Sequence, residues 1–258
     1  MGDWSITIFK SEKPKSMVLI EGLPGMGSVG KIAVDFIVDD LKAEKIGDLS
    51  GNKIPHCVFI NENNIVELPS IEIYKKKIKD KTLFLVSGDF QPLDEISCYK
   101  FCEELINICK KNNCKEIITL GGIGLNDIPI NPKVFCTGND QKLIERYCYD
   151  GVSKELNKLV GPIVGVSGVL VGLAGKNKIP GVTMLAETYA HPNYLGIGGA
   201  KELLKILNKR LSLGLNLKKL DKEIKKLNKN TVIKPVKKRK EETGILKDNV
   251  DDNLNYIG

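Results

Sequence analysis

The stretch 22–41, GLPGMGSVGKIAVDFIVDDL, follows four apolar residues, Met17, Val18, Leu19 and Ile20. The apolar run reads as a buried strand, and Ile32, Ala33, Phe36, Ile37 and Leu41 recur at helical spacing, so the unit is strand, glycine loop, helix. Open α/β folds begin this way. Gly25, Gly27 and Gly30 spell G-x-G-x-x-G, and residues 25–31 also spell G-x-x-x-x-G-K. A phosphate loop of the second kind holds an anion with backbone N–H groups and neutralises it with its lysine, here Lys31. It also calls for Ser or Thr after the lysine to hold magnesium, and Ile32 stands there. The dinucleotide reading calls for an acid near the end of the next strand, a place that Glu44 or Asp48 could take. The third reading is structural: glycines permit a tight turn and close packing of helix on strand.

The rest of the chain fits an open, mostly parallel sheet flanked by helices. Short strands are expected at 6–9, 45–49, 57–60, 65–68 and 71–74, with Pro69 at a bend. The continuous apolar run 82–86 has the character of a central strand, and 116–120, 133–137 and 180–185 follow as further strands. A helix over 94–112 with Asp94 as N-cap should bury Ile96, Tyr99, Cys102, Leu105, Ile106 and Cys109. Residues 121–124, Gly-Gly-Ile-Gly, read as a second glycine loop. A helix opened by Asn139 or Asp140 and a Leu-rich helix over 200–213, broken by Gly214, complete the set.

At 258 residues the chain can bury a substantial core, as one α/β domain over 1–215 with appendages. No apolar run reaches the length of a membrane helix, and the N-terminus lacks a signal-peptide pattern, so a cytoplasmic protein without a membrane partner is expected. Segment 201–229 carries ten basic and three acidic residues, which accounts for the whole net charge of +7. That segment has no aromatic residue for base stacking, so nucleic acid is disfavoured as a partner. Seven cysteines without a C-x-x-C pair, and two histidines, His56 and His191, give a metal site little to work with; buried thiols are the expectation.

Chemistry-bearing candidates are few. Asp89 lies in the loop after the strand 82–86, where ligands of open sheets bind, and could be the acidic partner of the first glycine loop or simply order its turn. Ser167 resembles a nucleophile elbow, but Val169 takes the place of the last glycine and no histidine is at hand as base. Glu187, near Tyr189 and Tyr194, could bind a hydroxyl or be tied to loop amides. A ligand-binding reading therefore gathers Gly25, Gly27, Gly30, Lys31, Asp89 and Glu187 around a nucleotide or nucleoside, in an enzyme or sensor.

The C-terminal part has a different design. Leu217, Leu220, Ile224 and Leu227 repeat at a and d spacing over an amphipathic helix 216–229, suited to docking on its own domain, a second subunit or a partner. Residues 230–258 read as a flexible tail, with Leu254, Tyr256, Ile257 and Gly258 as an apolar end bearing a carboxylate. Such an end is built to enter a pocket on another protein.

Several blocks carry a resemblance. Glu21-Gly22-Leu23-Pro24-Gly25-Met26-Gly27-Ser28-Val29-Gly30-Lys31, Gly88-Asp89-Phe90-Gln91-Pro92, Thr119-Leu120-Gly121-Gly122-Ile123-Gly124, Gly161 to Gly168 and Ile179 to Pro192 occur in one order. Together they resemble the proteasome assembly chaperone two family, whose archaeal members are often labelled ATP-grasp proteins. The resemblance implies a nucleoside phosphorylase-like fold, no catalytic residue and no cofactor. It also implies a homo-oligomeric chaperone for the proteasome core particle, whose partners are its own copies and proteasome α-subunits or another family member. Proteasome partners end in a hydrophobic residue, Tyr and any residue; here Tyr256 takes the hydrophobic place and Ile257 stands where Tyr is expected.

Overall fold

The computed structural model describes residues 4–9, 13–51, 54–92, 94–148, 152–153, 161–218 and 220–221. Its elements in chain order are β1 (Trp4–Ile8), β2 (Met17–Glu21), a 3-10 turn (Met26–Ser28), α1 (Val29–Leu41), β3 (Glu44–Gly51), β4 (Phe59–Ile60), β5 (Val66–Glu67), β6 (Ile71–Ile78) and β7 (Lys81–Gly88). There follow α2 (Glu95–Lys111), β8 (Cys114–Leu125), β9 (Val134–Gly138), α3 (Gln141–Tyr147), β10 (Val152–Ser153), α4 (Val166–Lys176), β11 (Gly181–Tyr189) and α5 (Ile197–Leu211). Among the described residues nine strands make one sheet in the order β1-β3-β6-β7-β2-β8-β11-β9-β10.

The middle of the sheet, β7-β2-β8-β11, is parallel throughout. Strands β1, β3 and β6 extend it as an antiparallel meander, and β9 joins β11 antiparallel. The apolar runs expected to be central are central because both faces are covered, which is what an unbroken apolar run requires. Alternate residues divide between the two layers: Val18, Ile20, Leu83 and Leu85 face the core under α1 and α5, whereas Met17, Leu19, Phe84 and Val86 face the core under α2 and α4. Asp94 caps α2, its Oδ1 accepting Ser97 N–H at 2.8 Å, and Asp140 caps α3 through Leu143 N–H at 2.7 Å.

Two expectations are corrected. The glycines 121–124 form no loop: β8 runs on to Leu125, and residues 121–125 pair with 185–189 of β11. Their small size serves another purpose, since a Cβ on Gly122 would lie 2.2 Å from Met26 O, where the first glycine loop lies flat on β8. The buried face of α2 is also turned. Ile96 and Tyr99 are 67% and 52% exposed, while Cys98, Phe101 and Ile108 are buried beside Cys102, Leu105, Ile106 and Cys109. The reason is β1: Trp4 packs edge-on against Phe101 at 5.1 Å and donates from Nε1 to Ser97 Oγ at 2.8 Å, drawing that side of the helix inward.

Beyond α5, Leu220 is 1% exposed and Leu217 packs on the core under α1 and α5. Asn216 N–H donates to Asp40 Oδ2 at 2.8 Å, and Lys201 pairs with Asp221. Leu217 and Leu220, candidates for an oligomer or partner face, therefore serve the chain's own domain, because α1 offers an acceptor and an apolar groove where the chain turns back. Ile224 and Leu227, like Leu254, Tyr256, Ile257 and Gly258, lie outside the described residues. Among the described residues no helix is long and apolar enough to cross a membrane.

Candidate functional site

Strand β2 is the switch point of the sheet. The chain leaves it for α1 on one face, and leaves neighbouring β7 for α2 on the other, so a crevice opens between the segments 22–28 and 88–92 at the strands' C-terminal ends. The N-terminus of α4 forms its third side.

Glu21, the last residue of β2, is fully buried at the floor of the crevice. Its Oε1 accepts Leu23 N–H at 3.1 Å, and its Oε2 lies 3.4 Å from Ser167 Oγ. Burial raises its pKa from 4.5 to about 8 against the lowering effect of these two partners, so the carboxyl is protonated at neutral pH. Ser167 opens α4 on the same floor, and its carbonyl accepts from Thr119 Oγ1 at 2.8 Å and Thr183 Oγ1 at 3.0 Å. A serine beside an uncharged acid has no base to take its proton.

Gln91 ties the three sides together. Its Nε2 donates to Pro24 O at 2.9 Å, and its Oε1 accepts from Val166 N–H at 3.5 Å. It fits because Gly165, at φ 87°, has no side chain; a Cβ there would lie 2.5 Å from the Gln91 oxygen. Outside this tie, Met26, Pro92, Cys98, Tyr99, Ile163 and Val169 line a cavity of about 520 Å³. Behind it, Glu21, Gln91, Gly121 and Ser167 border a void of about 10 Å³. The crevice thus has a wide apolar mouth and a narrow polar floor.

The residues gathered by the ligand-binding reading do not converge there. Gly25 lines the mouth, but Gly27 and Gly30 are pressed on the sheet: a Cβ on Gly27 would lie 2.4 Å from Thr188 Oγ1, and one on Gly30 2.3 Å from Leu120 O. Lys31 Nζ stands 3.1 Å from Asp35 Oδ2 and 3.7 Å from Asp89 Oδ1, so Lys31 and Asp89 do meet, on the α1 side. Asp89 also takes Ser70 N–H at 3.0 Å on Oδ2. Glu187 is elsewhere, with Oε2 accepting Lys133 N–H at 2.9 Å beside β9. The acid of a dinucleotide site is misplaced as well. Asp48 lies on β3, which two strands separate from β2, and it pairs with Lys45 at 2.7 Å.

Glu21 and Gln91 are the side chains of the crevice that the ligand-binding reading leaves out. Glu21 carries one signal in the sequence, a charged residue directly continuing a buried apolar strand. Gln91 stands out only as part of the block Gly88-Asp89-Phe90-Gln91-Pro92, since its tie depends on α4, more than seventy residues away.

Residues 19–232 match a family model described as the PAC2 family. An uncharacterized protein of Methanocaldococcus jannaschii is 29% identical over 251 residues, which are 96% of this chain and 94% of the relative. The crystal structure of Pyrococcus furiosus PbaB, described as an archaeal proteasome activator, is 28% identical, with a TM-score of 0.81 over 89% of this chain and 98% of that one. Pyrococcus furiosus PbaA, described as an archaeal homolog of proteasome-assembly chaperone, shares the fold at 24% identity and a TM-score of 0.71, over 87% of this chain and 89% of that one.

Proposed function

Because this chain belongs to the PAC2 family, we propose that it is a non-enzymatic, homo-oligomeric chaperone that assists assembly of the proteasome core particle and docks on α-subunits through its C-terminal tail. The observation that supports a proteasome partner is the likeness to PbaB, described as an archaeal proteasome activator, over nearly the whole of both chains at 28% identity, and the choice of assembly follows the shared fold of PbaA, described as a homolog of proteasome-assembly chaperone. The arrangement of the crevice supports it from the other side. Its polar floor is occupied by ties among its own loops, and the lysine of the glycine loop is neutralised by Asp35 and Asp89. These groups hold the loops in place and leave the mouth apolar.

Self-association is supported by the hairpin of β4 and β5. It forms a two-stranded sheet apart from the main one, and Val58, Phe59, Ile60, Ile65, Val66 and Leu68 are all between 48% and 72% exposed. A lone hairpin of two strands is marginal in water, and apolar groups clustered in this way mark contact surfaces. We expect Ile60→Lys with Leu68→Lys to weaken self-association about tenfold or more in sedimentation equilibrium, with the monomer's melting temperature unchanged. An unaltered assembly would place the subunit contact elsewhere.

The docking part rests on Tyr256, Ile257 and Gly258, a segment with two large side chains. In co-elution with purified proteasome α-subunits, the full chain should bind and a chain lacking these three residues should lose binding by about tenfold or more. Equal binding by both forms would remove the tail from the mechanism, and binding by neither would overturn direct docking.

A further inference from the structure

The mouth of the crevice combines an apolar lining with charge of one sign. Met26, Pro92, Tyr99, Ile163, Val164 and Val169 line its cavity of about 520 Å³. Tyr99 and Val164 are 52% and 48% exposed, and Ile96, one turn from Tyr99 on α2, is 67% exposed. Among the described residues the lining has two carboxylates, Asp94 and Glu95, and no lysine or arginine. Both acids are exposed at the start of α2. Such a surface favours an occupant that is apolar and cationic together, since an anionic one would meet like charge at the rim.

The chain itself contains one segment of that chemistry beyond residue 230. Val232, Ile233, Pro235 and Val236 are interleaved with Lys234 and followed by Lys237, Lys238, Arg239 and Lys240, with no acid among residues 231–240. The other apolar places in this part of the chain follow acids: Ile245 and Leu246 come after Glu241 and Glu242, and Leu254, Tyr256 and Ile257 after Asp251 and Asp252. We propose that residues 231–240 dock in the mouth of the chain's own crevice, with Val232, Ile233 and Val236 against the apolar lining and the cationic residues towards Asp94 and Glu95. The acid-flanked end at 254–258 is repelled by the same carboxylates, so the contact with α-subunits proposed above does not compete with this one, and neither rests on the other.

Reach favours the chain's own mouth. Asp221 pairs with Lys201, little more than one turn inside α5. At the start of that helix Gly196 N–H donates to Gly27 O at 2.8 Å, and Met26, next to Gly27, lines the mouth. Asp221 therefore stands near the outer side of the glycine loop whose inner side borders the cavity. Thr231 is ten residues further on, a distance that an extended chain spans up to about 33–36 Å. Pro235 bars a continuous helix through the segment. A tether this short holds its segment at an effective concentration on the order of millimolar, so a modest affinity suffices to fill the mouth.

The test is carbodiimide cross-linking of the full chain at low salt, followed by digestion and mass mapping. Amide links should join Lys234, Lys237, Lys238 or Lys240 to Glu95 about tenfold more often than to Glu103, which is exposed on the same helix two turns further on. Val232→Asp with Ile233→Asp should lower the Glu95 links about tenfold, and so should Tyr99→Asp from the other side, each with the circular dichroism of the parent. In a mixture of heavy-isotope-labelled and unlabelled chains the links should stay within one chain. Links between labelled and unlabelled peptides would overturn docking on the chain's own crevice. Equal yields at Glu95 and Glu103, no link to Glu95, or links indifferent to Val232, Ile233 and Tyr99 would overturn docking in the mouth.

Discussion

Replacing Glu21 by Gln should raise stability at pH 8.5 by about 3–5 kcal/mol and leave it nearly unchanged at pH 4. The folded chain holds the Glu21 proton up to about pH 8, whereas the unfolded chain releases it near pH 4.5. Between these values the native state binds more protons than the unfolded state, so the contribution of Glu21 to stability falls as pH rises. The contribution is fully present below about pH 4.5 and is lost by about pH 8. The amide of Gln has the same shape and still accepts the Leu23 N–H, but it has no charge to acquire, so this slope disappears. For a chain of this size the difference at high pH corresponds to about 10 °C in melting temperature. Thermal melts of both proteins across pH 4–9 read it directly as the gap between two curves. Parallel curves would mean that Glu21 is ionised inside the fold, and the account of a neutral crevice floor would fall.

Gly30→Ala should cost about 3 kcal/mol or more, among the largest effects of adding one methyl group to this chain. The new Cβ would lie 2.3 Å from Leu120 O and 3.3 Å from Gly22 Cα, both main-chain atoms that cannot swing aside. Gly22 is locked in turn, since its own Cβ would meet Gly30 O at 2.2 Å. Helix α1, the loop before it and strand β8 thus meet backbone to backbone, and the helix could accommodate a methyl group only by lifting from the sheet. Gly172→Ala provides the contrast. That glycine is on the exposed side of α4 with nothing within 4 Å of a Cβ, so alanine should stabilise by about 0.5–1 kcal/mol through helix propensity. Chemical denaturation of the two variants beside the parent separates the readings. If Gly30→Ala is as mild as Gly172→Ala, the glycines of this loop are not there for packing.

The glycine result bears on what a motif can tell. Gly25, Gly27 and Gly30 satisfy two ligand-binding patterns and one packing pattern at once, because each needs a missing Cβ close to other atoms. Which atoms those are is not a local property. Here Gly27 meets Thr188 from β11, and Gly30 meets Leu120 from β8, and both partners lie ninety residues or more further along the chain. Sequence spacing could not separate a phosphate from a carbonyl as the neighbour.

What the sequence determined by itself is local. The apolar runs 17–20 and 82–86 became central strands, the helical periodicity after Gly30 became α1, Asp94 became an N-cap, and of the alternatives Asn139 and Asp140 the second became another, because periodicity and capping depend on residues within a few positions of each other. The family blocks were likewise legible, since they are short and ordered. Only the tertiary structure decided the rest. It carried β3 to the far side of β6 and β7, rotated α2 towards Trp4, and placed Gln91 between Pro24 and Val166. Each of these is a pairing between distant segments, chosen by which faces can be buried together, and a linear pattern records the faces but not their partners. Glu21 lies on the boundary between the two. Its position at the end of an apolar strand is written in the chain, but its neutrality follows from layers packed over it on both sides of the sheet.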